Sequence, residues 1–100
     1  MKKLLLAVTL LLAFNVSAKL NIDNCYQLEE LAGVIMEARQ AGSTMGEMIK
    51  LADNHKLTEA LVIDAFEVPL YETAEYKERE INKYKNTVFK MCFKSISEKI

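Results

Sequence analysis

Cys25 and Cys92 are separated by 67 positions in a 100-residue chain. These two cysteines constrain its fold more than any other feature. If they form a disulfide, the elements that carry them must meet although nearly the whole domain separates them in sequence. Whether they pair depends on the compartment, because disulfides persist in oxidising environments and are rare in the cytosol. The N-terminal residues bear directly on that question.

The N-terminus has the three parts of an export signal. Residues 2 and 3 are lysines, residues 4–14 form an apolar run, and residues 16–18 are a small-residue cleavage site of the A-x-A type. The run is too short for a membrane-spanning helix, which needs about 20 apolar residues. We therefore expect a cleaved signal peptide over residues 1–18 and a single domain over residues 19–100, in the periplasm or outside the cell.

The charge of the expected mature chain is mildly acidic. Two of the 13 basic residues leave with the signal and none of the 14 acidic ones do, so 11 basic residues face 14 acidic ones and the net charge is −3. Nucleic-acid-binding domains usually carry a strongly basic surface. We expect no nucleic-acid partner, no membrane span after cleavage and no cofactor.

Outside the cytosol the two cysteines are expected to form one Cys25–Cys92 disulfide. A structural zinc site needs four ligands, and two cysteines with the single histidine, His55, fall short. A C-x-x-C redox motif is excluded by the spacing. A catalytic thiolate would need a basic partner, for which His55 is the only histidine.

The apolar spacing is helical throughout, and no stretch keeps the two-residue alternation of a strand. The pattern predicts a first helix that is capped by Asp23 or Asn24 and stops at Gly42. A second, short helix follows a capping box formed by Thr44 and Glu47.

The remaining chain predicts two further helices. The second helix is expected to end at residues 53–55, with His55 capping its carboxyl end, and the third helix runs from Thr58 to about Val68, because Pro69 disfavours helix before it. Thr73 caps a last helix of about 24 residues. The fold class is thus an all-α bundle of about four helices, with one disulfide joining antiparallel first and last helices.

The apolar stripes predict which side chains face the core. The second helix should bury Met45, Met48, Ile49 and Ala52, and the third Leu61, Val62, Ala65 and Phe66. The stripe of the last helix comprises Tyr76, Ile81, Tyr84, Val88, Met91, Cys92 and Ser95.

Two surfaces are candidates for binding a partner. The segment FEVPLYETAEY, here called the aromatic turn, places aromatic and acidic side chains around an irregular link, which is typical of binding sites on rigid scaffolds. Core packing is the alternative for its aromatics. A row of lysines shares one face of the last helix, although basic residues there also complement the helix dipole. The candidate residues are Phe66, Leu70, Tyr71, Glu72, Glu75 and Tyr76 in the aromatic turn, and Lys83, Lys90 and Lys94 in the lysine row.

No set of residues predicts catalysis. Adjacent or near-adjacent carboxylates occur at Glu29/Glu30, Asp64/Glu67 and Glu72/Glu75, but acid–base work requires two carboxyls to converge in a cleft. A bundle of this size leaves little room for one. We expect a protein that is not an enzyme, and a small hydrolase is the least favoured alternative.

Three segments, LAGVIMEARQAG, MGEMI and FEVPLYETAEYKEREINKYKNTVFKMC, resemble a group of small exported proteins encoded by phages and prophages. That resemblance covers most of the mature chain and implies a helical fold with one cysteine on the first and one on the last helix. It carries over no functional residue. In its size, its expected export and its predicted helical, disulfide-bonded structure, the chain is also similar to Spackle-type superinfection-exclusion proteins, which block an invading phage's lysozyme in the periplasm.

These features together predict an exported binding protein of the cell envelope. It would bind or inhibit a partner that acts on the envelope, such as a lytic enzyme, in superinfection exclusion or lysis control. The alternative is a periplasmic stress chaperone. The two differ in what they bind, because an exclusion factor has one tight partner and a chaperone has many unfolded clients.

Overall fold

A computed structural model describes residues 21–98, which form four α-helices and contain no strand. The helices are α1 (Ile22–Gln40), α2 (Met45–Ala52), α3 (Lys56–Ala65) and α4 (Ala74–Glu98). The predicted all-α bundle is confirmed. The expected signal peptide lies outside the described residues.

The disulfide joins the first helix to the last. Cys25 lies in the first turn of α1 and Cys92 near the end of α4, and their Cα atoms are 5.5 Å apart. Both cysteines are buried. The predicted pairing is therefore present in the structure.

Contacts along the α1–α4 pair show that the two helices are antiparallel. Midway along α1, Gly33 lies against the aliphatic stem of Lys85, so close that a Cβ atom at Gly33 would stand 2.9 Å from the Lys85 Cδ. At the far end of α1, the Gln40 carbonyl accepts a hydrogen bond from Lys77 Nζ. Later residues of α1 therefore contact earlier residues of α4, so the two helices are antiparallel, as predicted.

The core lies between this helix pair and the two shorter helices. Its buried side chains come from all four helices and are Ala32, Ile35, Met36, Met48, Val62, Ala65, Tyr84 and Val88. Leu61, Phe66 and Ile81 are partly buried against it. Only Tyr84, Val88 and Cys92 are buried on α4, so much of this helix remains at the surface.

The start of α1 differs from the prediction. Its N-cap is Asn21 rather than Asp23 or Asn24. The Asn21 side chain accepts from the Asn24 amide at 3.2 Å, and the Asn24 Oδ1 accepts from the Asn21 amide at 2.7 Å. This reciprocal pair satisfies two donors that a later start would leave open. The helix stops as expected, with Gly42 at a φ of 97°.

The predicted capping box at the start of α2 is confirmed. The Thr44 hydroxyl accepts from the Glu47 amide at 3.1 Å, and the Glu47 carboxylate accepts from the Thr44 amide at 2.9 Å. These hydrogen bonds favour the ionised carboxylate and lower the pKa of Glu47.

His55 was predicted to cap the end of the second helix, and the third helix to begin at Thr58; both predictions are wrong. Asp53 and Asn54 adopt left-handed conformations that end α2, and they reverse the chain without a longer link. His55 is instead the N-cap of α3, and its Nδ1 accepts the Thr58 amide at 3.3 Å.

Four side chains placed on core stripes are exposed instead: Met45, Tyr76, Met91 and Ser95. Met45 and Tyr76 occupy the first turns of their helices, and the Tyr76 ring stacks on Tyr71 instead of entering the core. Met91 precedes the buried Cys92 and is rotated from it by about 100° around the helix axis. Ser95 lies beyond the disulfide, where α4 has little left to pack against.

A hydrogen bond from Tyr84 connects α4 to α3. Its buried hydroxyl donates to the Leu61 carbonyl at 2.8 Å, and burial together with the nearby Asp64 charge raises the pKa of Tyr84 well above its usual range. Tyr84→Phe is expected to lower the free energy of unfolding by about 1 kcal/mol, measured by urea denaturation. Tyr26→Phe, at an exposed tyrosine, is the control, and equal effects from both substitutions would contradict the role of this bond.

Candidate functional site

The aromatic turn connects α3 to α4, and the buried side chain of Gln40 holds its backbone. Gln40 is only 2% exposed. Its Nε2 donates to the Pro69 carbonyl at 2.9 Å, and its Oε1 accepts the Tyr71 amide at 3.0 Å. One amide group at the end of α1 therefore fixes two backbone positions about 30 residues further along the chain.

Arg39 supports the same turn one residue earlier. Its Nε donates to the Val68 carbonyl at 3.1 Å, and its guanidinium stands 4.8 Å from the centre of the Phe66 ring. A cation over an aromatic face is attracted by the ring quadrupole. Phe66, a predicted binding residue, is therefore half-buried and serves mainly to anchor the turn.

The exposed part of the turn is a small apolar and aromatic surface. Leu70 is 49% exposed and Tyr76 is 48% exposed. The rings of Tyr71 and Tyr76 stack with centroids 5.7 Å apart, and the Arg79 guanidinium lies 5.2 Å from the Tyr76 centroid. These four side chains form the apolar and aromatic face of the turn.

Acidic side chains border this face. Glu67, Glu72 and Glu75 are all exposed. Glu75 lies 3.9 Å from Arg79, an exposed pair of the kind that contributes little to stability. Glu67 and Glu72 make no ion pair within 4 Å among the described residues, and the three exposed glutamates of the turn are called its acidic rim.

The lysine row forms a second surface, which meets the aromatic turn at Arg79. Lys83, Lys90 and Lys94 are exposed on α4. Tyr76 and Lys90 are separated by about 21 Å along the helix, at 1.5 Å per residue. Lys83, in contrast, lies only about 10 Å from Tyr76 along the helix, so the near end of the row adjoins the aromatic turn. A shallow groove on the row is lined by Arg79, Asn82, Lys83, Asn86, Thr87 and Lys90.

Gln40, Arg39 and Arg79 were not among the residues predicted for this site. A signal for Gln40 was present, because it follows the buried Met36 by four residues and so falls on the inward face of α1. A buried polar side chain must find hydrogen-bond partners. A local signal for Arg79 was its position four residues after Glu75, which predicts an ordinary ion pair on the helix surface, and that pair is present.

Neither a metal cluster nor a membrane-spanning helix occurs in the part of the chain that the structure describes. Over residues 21–98, no three His, Cys, Asp or Glu side chains gather closely enough to hold a metal ion. No helix within that range is both long and apolar enough to cross a bilayer. Comparison of the chain with protein-family models, curated proteins and solved structures found no match.

Proposed function

We propose that this chain is a non-enzymatic, exported binding protein that uses the aromatic turn to bind and inhibit an enzyme acting on the cell wall. The observation that carries the proposal is the double hydrogen bond from Gln40, which fixes the turn's backbone while Leu70 and Tyr76 remain about half exposed. A surface held in its binding conformation loses less entropy when a partner docks.

The composition of the turn suits a protein partner. Tyrosine and arginine are enriched among the residues that dominate binding energy, and Tyr71, Tyr76 and Arg79 lie side by side. Leu70 adds an apolar side chain on the same turn. Such a surface favours a shaped protein pocket over a small polar ligand.

The charge of the rim favours a basic partner. The rim comprises Glu67, Glu72 and Glu75, of which Glu75 pairs with Arg79, and the expected mature chain is acidic overall. Enzymes that work on anionic wall polymers gain from a positive surface, because opposite charge speeds encounter. The same positive surface would complement this rim.

The expected export signal and the resemblance to phage-encoded exported proteins make superinfection exclusion or lysis control the role we propose. A stress chaperone is the second candidate, and one observation favours it: exposed apolar side chains are spread over all four helices. They include Val34, Leu51, Leu57, Ile63 and Met91. A chaperone would use such scattered side chains on many clients, whereas an inhibitor would use the turn on one enzyme.

Two substitutions in the turn test the contact. Leu70→Ala and Tyr76→Ala are each expected to weaken binding to the lytic enzyme by about 1 kcal/mol or more, roughly fivefold in Kd, with little change in Tm. Leu51→Ala is the matched control, because Leu51 is 48% exposed on α2. The measurement is a titration of purified phage wall-lytic enzymes, and equal weakening by Leu51→Ala would contradict the assignment.

A phage challenge tests the role in the cell. Expression of the protein in a susceptible host should reduce plaque formation, and Leu70→Ala should restore it. Unchanged plaque counts, together with no inhibition of the purified enzymes, would reject the exclusion role and favour the chaperone.

A further inference from the structure

An exposed apolar cluster lies at the disulfide end of the α1–α4 pair. The Phe93 ring stacks on Phe89 with centroids 6.1 Å apart, and the Phe89 centroid lies 5.3 Å from that of Tyr26 on α1. Ile22 precedes Tyr26 by one turn and lies about 40° from it around the helix axis. Ile22 is 43% exposed, Tyr26 53% and Phe93 44%. These four side chains are here called the disulfide-end patch, and apolar groups clustered at a surface in this way mark an interaction site.

The α1 edge of the patch is acidic. Asp23, Glu29 and Glu30 lie within about 60° of Tyr26 around the axis of α1 and within about 6 Å of it along that axis. Asp23 and Glu30 are exposed, and Glu29 is half-buried. None of the three takes part in an ion pair within 4 Å among residues 21–98. Their negative charge is therefore available to a partner that covers the patch.

The α4 edge of the patch is basic. Lys90 lies about 60° from Phe93 around the axis of α4, and Lys94 lies about 100° from it. Both lysines are exposed, and neither pairs with a carboxylate within 4 Å in the described range. The nearest carboxylates before and after these lysines on α4 are Glu80 and Glu98, which lie about 140° from Phe93 and so face away from the patch. The patch thus has negative charge on one side and positive charge on the other.

We propose that the disulfide-end patch joins two copies of this chain into a symmetric dimer. A two-fold axis parallel to the helices places α1 of one copy over α4 of the other, so that the acidic edge meets the basic edge twice while the apolar centres pack together. An axis perpendicular to the helices would instead set acidic edge against acidic edge. The charge pattern therefore favours a second copy as the occupant, in the first of these two orientations.

The disulfide gives the heights at which the two edges meet. It joins the helices at a Cα separation of 5.5 Å, so its two cysteines stand at nearly the same height along the α1–α4 pair. Asp23 and Lys94 both lie about 3 Å from that height, towards the start of α1. Glu30 and Lys90 lie about 7.5 Å and about 3 Å from it in the other direction. Each acidic side chain of one copy thus stands within reach of a lysine of the other.

The size of the patch predicts a weak dimer. A wholly buried aromatic side chain contributes about 150–250 Å². Four side chains that are already partly covered therefore fall short of the ~800 Å² per partner that a standard interface buries. The charged edges must contribute, and dimerisation should weaken at high salt. Because the axis is parallel to the helices, the aromatic turns of both copies lie at the same end of the dimer, although the proposal does not depend on what those turns bind.

Analytical ultracentrifugation of the exported, disulfide-bonded protein, from micromolar to millimolar concentration, tests the proposal. We expect a reversible equilibrium between monomer and dimer. Phe93→Gln should raise the Kd of dimerisation about tenfold, because it removes two aromatic side chains from the centre of the interface. Met91→Gln is the matched control and should leave the Kd unchanged, since Met91 is 64% exposed on the same helix but lies about 160° from Phe93.

A charge exchange tests the orientation of the two copies. Glu30→Lys alone and Lys90→Glu alone should each raise the Kd about tenfold or more, because each sets like charges together at both edges. An equal mixture of the two variants should form heterodimers with nearly the wild-type Kd, because opposite charges meet again at both edges. The proposal is overturned if the wild-type protein stays monomeric throughout, if Met91→Gln weakens dimerisation as much as Phe93→Gln, or if the mixture dimerises no better than the separate variants.

Discussion

Replacing both cysteines, by Cys25→Ala with Cys92→Ala, is expected to lower the free energy of unfolding by about 4 kcal/mol. The bridge joins residues 67 apart in sequence, so its loss frees almost the whole described chain in the unfolded state. Both cysteines are also buried against the α1–α4 contact. For a domain of this size the change corresponds to a fall in Tm of roughly 15–30 °C.

Urea denaturation of the oxidised protein, the reduced protein and the double variant measures this effect. Reduced wild type should unfold at nearly the same midpoint as the variant, because both lack the cross-link. An unfolding midpoint that does not move on reduction would contradict the energetic role of the bridge.

Gln40→Ala is expected to have the second largest effect, about 2–4 kcal/mol of unfolding free energy, because it leaves the Pro69 carbonyl and the Tyr71 amide without their partner. The turn should also lose order. Hydrogen exchange at the Tyr71 amide should become faster than global unfolding explains, and binding to the lytic enzyme should weaken.

Two further variants separate the hydrogen bonds from other contributions. Gln40→Met keeps most of the side-chain volume and loses both bonds, so it should resemble Gln40→Ala. Gln27→Ala removes an exposed glutamine from the same helix and should change stability by less than about 0.5 kcal/mol. If Gln40→Met leaves the Tyr71 amide protected, the turn is not held by Gln40.

The helices and the pairing of α1 with α4 could be predicted because their causes are local or nearly so. Spacing of apolar residues indicates helix, and the capping residues Thr44 and Thr73 act on amides three residues away. The disulfide was predicted from the expected compartment and the cysteine count. Each of these inferences needs only a few neighbouring residues or the composition.

The errors arose where several residues competed for one structural role. Asn21, Asp23 and Asn24 can all cap a helix, and the reciprocal bonds between the two asparagines decide the outcome. His55 lies between two helices and can serve either one. Its choice depends on the two left-handed residues before it, which the sequence pattern did not indicate.

The sequence indicated the aromatic turn as a candidate site, but it did not predict the contacts that hold the turn's backbone. An irregular link rich in tyrosine was predicted to be a candidate binding surface, and Leu70 and Tyr76 are exposed there. The contacts of Gln40 and Arg39 with residues 68–71 join positions about 30 residues apart. Such contacts depend on where α1 ends relative to α3, which only the three-dimensional structure shows.

Site-specific photo-crosslinking tests the proposed function most directly. A photoreactive residue is placed at position 70 in the aromatic turn or at position 51 on α2, in host cells challenged with phage. We expect one discrete adduct from position 70, containing a wall-lytic enzyme, and none from position 51. A ladder of many adducts from both positions, or no adduct from position 70, would contradict the account.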